Sequence, residues 1–112
     1  MGLFGGKKKE GQPFEFRVSD SVAVPMRGYL LRLKLLNGEP GISDLGPGKR
    51  IKLRSSSGRE RVVAIKDNAV TQGPASQSRL DRTREFDIVI DAADGAIDGE
   101  TVDIGWTAAG PE

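Results

Sequence analysis

Three cations, Arg50, Lys52 and Arg54, alternate with Ile51 and Leu53, and Arg59 and Arg61 follow a Ser55-Ser56-Ser57-Gly58 turn. Period-two spacing puts the three cations on one side of an extended strand and the two apolar residues on the other. A hairpin returning after Gly58 brings Arg59 and Arg61 alongside, and with Lys49 these residues make a basic row. Such a row neutralises phosphates, with strong salt dependence. No aromatic residue lies nearby to stack on a base, which argues against reading of RNA sequence.

The densest carboxylate group is Asp91, Asp94, Asp98 and Glu100. Counted from Asp91 they fall at positions 1, 4, 8 and 10, whereas an EF-hand draws side-chain ligands from loop positions 1, 3, 5 and 12. Asp94-Gly95 and Asp98-Gly99 read instead as turns that acidic residues keep soluble. The chain has no histidine and no cysteine, which removes the commonest general base, thiolate nucleophiles and sulfur-ligated zinc. No Walker loop, dinucleotide fingerprint or nucleophile elbow occurs. The expectation is a non-enzymatic protein with no cofactor, no metal and no nucleotide.

Charge is unevenly spread. Residues 49–66 carry a net +6 and residues 81–103 a net −6, within a chain whose total is +1. Folding that lays these segments side by side neutralises them, at about 0.2–1 kcal/mol for each cross-strand pair. Folding that keeps them apart leaves a basic patch for nucleic acid or another acidic partner.

The elements that must position these residues follow from the apolar pattern. Residues 1–12 are rich in Gly and Lys without periodicity and read as a flexible tail. Met1-Gly2 lacks the Ser or Thr at position six that myristoylation wants, and Lys7-Lys8-Lys9 is followed by Glu10 rather than an apolar signal region. Phe14–Val18 and Val22–Val24 alternate as one strand bent around Ser19-Asp20-Ser21, and Tyr29–Leu36 alternates with Tyr29, Leu31, Leu33 and Leu35 on one face. Glu39–Gly48 reads as a loop, and Ser55–Gly58 as a hairpin turn between the basic strand and Arg61–Lys66. Asp67–Arg84 is polar and aperiodic, a loop long enough in so small a domain to be mobile or functional. Glu85–Asp91 puts Phe86, Ile88 and Ile90 inside, and Thr101–Trp106 puts Val102, Ile104 and Trp106 on one face. The pattern predicts an all-β fold, a small closed antiparallel barrel of six to seven strands without a helix. It spans residues 13–107, with 108–112 as a C-terminal tail. No apolar run approaches the roughly 20 residues that cross a bilayer. With no cysteine to form disulfides, the expected compartment is the cytoplasm.

Pro13-Phe14, Asp20, Val22, Val24 and Arg27-Gly28, then Leu45-Gly46-Pro47-Gly48-Lys49-Arg50-Ile51, carry a resemblance. So do Phe86–Ile90 and Ile97-Asp98-Gly99-Glu100-Thr101-Val102. The chain resembles the second domain of translational GTPases, the β-barrel that follows the G domain in elongation factor Tu and its relatives. The resemblance implies that barrel as a stand-alone domain. It also implies a role in holding the aminoacylated end of tRNA or in contacting the ribosome, with Asp20 and Arg27 as the retained members of the aminoacyl-end site. Ser19 stands where the family pocket has an acid, Lys66 falls near another, and Tyr29–Leu36 replaces the usual Thr-Gly. The leading expectation is a binding or adaptor module for a protein partner, meeting it through the 67–84 loop and the basic hairpin. The alternative is association with RNA or the ribosome through Lys49, Arg50, Lys52, Arg54, Arg59 and Arg61.

Overall fold

The computed structural model describes residues 12–68 and 77–112. Residues 1–11 of the expected tail and 69–76 of the expected loop lie outside the described residues. The chain runs β1 (Phe14–Val24), β2 (Gly28–Gly38), β3 (Arg50–Arg54), β4 (Glu60–Asn68), α1 (Gln77–Thr83), β5 (Glu85–Ile90), β6 (Ala96–Ile97), β7 (Glu100–Thr101) and β8 (Thr107–Gly110). Short 3-10 turns cover Ile42–Leu45 and Ala92–Asp94. The fold is mostly β. Six strands, in the order β1-β2-β5-β4-β3-β8, form an antiparallel sheet that closes into a ring when β8 pairs back onto β1. Closure leaves no long open edge between the first and last strands.

The alternation expected of β2, β3 and β5 is present, and that of β1 holds through Val18. Past the irregularity there Val22 is 48% exposed and Val24 half-buried, which corrects the expected continuation of the inner face. Phe16, Val18, Leu31, Leu33, Ile51, Leu53, Ile88 and Ile90 are wholly buried inside the ring. β1 stays one strand through an irregularity between Val18 and Asp20. The Arg27-Gly28 step has a backbone reason: Gly28 sits at φ +122, and a Cβ there would come within 2.0 Å of the Ile90 carbonyl oxygen. Only glycine allows the β1–β2 hairpin to turn this close to β5.

Non-sheet segments cap opposite ends of the ring. Leu45 and Leu80 close the end near Gly38 and Arg50, while Ile97, Val102 and Trp106 close the end near Val18 and Ser55, all within one core cluster. Backbone bonds fix the second cap: Val18 N–H donates to Trp106 O at 2.7 Å and Gly105 N–H to Val18 O at 2.9 Å.

Four further expectations are corrected. The 67–84 loop is shorter than its composition suggests, because β4 continues to Asn68 and α1 occupies Gln77–Thr83. That helix also replaces the helix-free expectation. It is held by the burial of Leu80, by the Ile42 N–H donating to Gln77 Oε1, and by Gln77 Nε2 donating to Pro40 O. Thr101–Trp106 is not a strand. After the two residues of β7 the chain turns, burying Val102 and Trp106 but leaving Ile104 53% exposed. The strand count is six in the ring plus the β6–β7 pair. Finally, residues 108–110 are no tail: β8 is the strand that completes the ring, so the folded unit runs through Gly110. Its inward residues are small because its neighbours are large. Ala108 faces Phe16 and Leu53 across the two ladders, and a Cβ on Gly110 would lie 2.7 Å from the Phe14 ring.

Candidate functional site

The register divides the basic row in two. Residues directly opposite in an antiparallel pair share a face, and β3 is paired with β4 as Arg50↔Ala64, Lys52↔Val62, Leu53↔Arg61 and Arg54↔Glu60. Arg50, Lys52 and Arg54 therefore lie on the outside of the ring. Arg61 takes the parity of buried Leu53 and turns the other way, toward the 92–98 segment.

There the serine turn, the two returning arginines and the acidic segment lock together. Arg59 Nη1 lies 2.5 Å from Asp98 Oδ2, and Arg61 Nη1 donates to Ala93 O at 3.1 Å with Asp94 Oδ1 at 3.9 Å. Ser55 Oγ donates to Glu100 Oε1 at 3.2 Å and accepts from Arg59 N–H at 3.1 Å, while Ser57 Oγ also bonds Glu100. Part of the acidic segment thus neutralises part of the basic one, and its carboxylates serve the cap. Among the described residues no group of three or more His, Cys, Asp or Glu is arranged to hold a metal ion. Nor is any helix there long and apolar enough to cross a membrane.

Arg50, Lys52 and Arg54 have no ion pair among the described residues, and neither does Lys49 just before β3. Two more such cations join them through β8 and β1. β8 sets Ala109 beside Lys52 and Thr107 beside Arg54. On its other side it sets Thr107 beside Arg17, and β1 sets Arg17 opposite Lys34 of β2. Around the outside of the ring these positions read Lys34, Arg17, Thr107, Arg54, with Lys52 and Arg50 continuing along β3; β2 and β3 stand three steps apart in a ring of six, so Lys34 faces away from the β3 cations. Lys34, Arg17, Arg54 and Arg50 are exposed and Lys52 is half-buried. Acids bracket this band: Glu85 lies beyond Lys34, Glu60 beyond Arg54, and Glu15 lies one row over beside Ala109. None is ion-paired to it among the described residues.

Arg17 and Lys34 escape a reading of the sequence alone because their meeting depends on pairing register, and β8, which joins Arg17 to Arg54, lacks bulky apolar residues. The only available signal is that both occupy outward positions of well-patterned strands.

The next row shows what a satisfied arginine looks like on this surface. Arg32 Nε and Nη2 donate to Asp87 Oδ1 and Oδ2 at 3.0 and 3.1 Å. Those hydrogen bonds, followed by the attraction of the Asp87 charge, hold the Arg32 guanidinium above its already high ordinary pKa. Asp20 stands opposite Arg32, and its Oδ1 accepts from the Ser21 N–H at 2.9 Å.

The two residues implied by the family resemblance are not brought together. Arg27, at the end of the β1–β2 hairpin, pairs with Asp67 at 3.2 Å, and its carbonyl accepts from Lys66 Nζ at 3.0 Å. Asp20 pairs with Arg32 while the hairpin closes at Val24↔Gly28. Four strand positions, about 13 Å at 3.3 Å per residue, separate the two. Comparison of the chain with protein-family models, curated proteins and solved structures finds no match.

Proposed function

We propose that this protein is a non-enzymatic binding module that attaches to an anionic partner through the outer basic face of β3. In this reading the ring is a closed barrel of the translation-factor second-domain type, working in the cytoplasm as an adaptor. The observation that carries the proposal is the division of the cations. Arg59 and Arg61 are engaged with the cap, while Arg50, Lys52 and Arg54 point outward with no ion pair among the described residues, although Glu60 stands opposite Arg54 and the Glu112 N–H donates to Arg50 O. An unpaired surface charge contributes nothing to stability, so the row is most simply explained by something outside the chain. The emphasis shifts from the expected 67–84 loop to the sheet because α1 spends Leu80 on the core and its Gln77 on the 40–42 backbone.

Chromatography on immobilised heparin, a generic polyanion, tests this. The triple change Arg50→Gln, Lys52→Gln, Arg54→Gln should move elution to markedly lower salt. The double change Arg59→Gln, Arg61→Gln should move it little. Equal shifts, or no shift in the triple variant, would overturn the proposal.

A further inference from the structure

We infer that two copies of this chain pair edge to edge through the distal half of β1, residues 19–24, in an antiparallel two-fold arrangement centred on Val22. This goes beyond the anion-binding face of β3 and rests on different residues.

The first support is a strand edge that the ring does not use. β8 pairs with β1 only from Phe14 to Arg17, and the 105–106 backbone takes over at Val18. Past Val18, among the described residues, β1 makes no backbone hydrogen bond on that side. The Ser21 N–H donates instead to Asp20 Oδ1 at 2.9 Å. Ser21 is therefore turned away from β2, and alternation turns Ala23 the same way. An open edge of this kind is a template for pairing with another chain. The inner side of the same arm rests on the cap, where Ser21 Oγ donates to Val102 O at 3.3 Å, so the edge and the outer side are left for a partner.

The second support is an apolar row that stops at this edge. On the outside of the ring the register sets Val22 beside Leu30 and Leu30 beside Val89. Val89 is buried, Leu30 half-buried and Val22 48% exposed, so exposure rises toward the edge. A second β1 laid antiparallel, with Val22 facing Val22, continues the row into Leu30 and Val89 of the copy. Two other exposed apolar residues fall on the same line. Met26 is fully exposed at the hairpin turn with a φ of 65, and Ile104 is 53% exposed beside the Gly105 that bonds Val18. In this register Met26 of one copy arrives opposite Val18 of the other, next to its Ile104.

The third support is that hydrogen bonding selects this register. Edge-facing residues must meet edge-facing residues, which allows Ser21 opposite Ser21, Ser21 opposite Ala23, or Ala23 opposite Ala23. The first sets the Asp20 carboxylate against Val22. The last sets Ser21 against Pro25, which has no N–H to give. The middle one sets Ser21 against Ala23 twice, Val22 against Val22 and Asp20 against Val24, with no like charges opposed. A segment that complements itself when turned about a two-fold axis meets the condition for a closed dimer, which names a second copy as the occupant. So short a pairing falls below the roughly 1,200 Å² at which stable interfaces begin, so the dimer forms and dissociates with protein concentration.

The test is sedimentation equilibrium of the full chain over a range of concentrations, with Val22→Lys and Val22→Glu as variants. The native chain should move reversibly from one chain mass to two as concentration rises. Each variant alone should associate about 10- to 100-fold more weakly, because like charges replace an apolar pair on the two-fold axis. An equimolar mixture of the two variants should regain association, since a lysine then faces a glutamate. That rescue needs both variants folded and position 22 on the axis, which separates lost pairing from lost folding. A native chain that stays monomeric at every concentration would overturn the inference, including one that instead takes up an extended Thr-Val peptide along Ser21 and Ala23. Single variants that associate as the native chain does, or a mixture no better associated than either variant alone, would also overturn it.

Discussion

A surface held for binding at some cost to folding should become more stable when its charge is reversed, and Arg17→Glu tests this. Arg17 has Lys34 directly opposite on β2 and Thr107 on β8, so the substitution converts a like-charge pair into an opposite-charge pair without facing a new acid across either ladder. Removing the repulsion and gaining the attraction are each worth about 0.2–1 kcal/mol, and exposure puts both toward the lower end. Glu15, two positions back on the strand and about 7 Å away, returns part of the gain, leaving about 0.5 kcal/mol. For a ring of this size that is about 2–4 °C in Tm. The assay is thermal unfolding of the native and Arg17→Glu proteins at low salt and near 1 M salt, where a Debye length of about 3 Å removes the difference. The same variant should lose retention on heparin. A Tm at low salt equal to or below the native value would refute the reasoning, since the Arg17–Lys34 repulsion would then be fully offset by the acids beside it, Glu85 opposite Lys34 and Glu15 on β1.

Other changes probe the frame that carries the face. Gly28→Ala forces a side chain onto a φ of +122 and into the Ile90 carbonyl. It should cost about 3 kcal/mol or more, seen as a lower urea midpoint at unchanged m-value. Trp106→Ala should cost about 3–5 kcal/mol because it opens the cap, whereas Ile104→Ser, at a 53% exposed position, should stay within about 0.5 kcal/mol. Equal effects at 104 and 106 would restore the single-strand reading of Thr101–Trp106. Arg32→Ala should cost about 1–2 kcal/mol, because it strips a bidentate partner from Asp87, whose side chain is only 12% exposed. Arg59→Ala removes an exposed ion pair and should cost no more than about 1 kcal/mol by the same denaturation measurement.

The strands were legible where large side chains mark the inner face. Leu31 and Leu33 of β2, Ile51 and Leu53 of β3, and Phe86 and Ile88 of β5 alternate strongly enough to show strand and facing together. β8 was invisible for the converse reason. Its inner positions are Ala108 and Gly110, made small by the Phe14 and Phe16 rings that occupy the space, so the residues that close the ring look like a frayed end. The helix α1 offers one buried side chain, Leu80, in seven residues, which is no periodic signal. Trp106 is buried, as its spacing predicts, but its burial comes from a turn over the ring's end. Period-two spacing therefore wrongly recruited Ile104 to the same face.

The basic hairpin was legible as a composition but not as a surface. Sequence spacing correctly grouped Arg50, Lys52 and Arg54, since i and i+2 share a face within one strand. It grouped Arg59 and Arg61 with them because facing across a hairpin depends on register, and the Leu53↔Arg61 pairing turns those side chains away. Arg17 and Lys34 are set opposite one another by strand pairing, which a single sequence does not encode in its local pattern. The same dependence on register is why the resemblance-derived pair, Asp20 and Arg27, comes apart along the hairpin.

Backbone amide chemical shifts, followed while a heparin oligosaccharide is titrated into the labelled protein, test the central claim most directly. The account predicts that shifts concentrate at Arg50, Lys52 and Arg54 of β3 and at Thr107 and Ala109 beside them on β8. The Arg59, Asp98 and Glu100 corner and the Arg27 end of the hairpin should stay still. Shifts centred on that corner or on Arg27, with β3 unmoved, would contradict it.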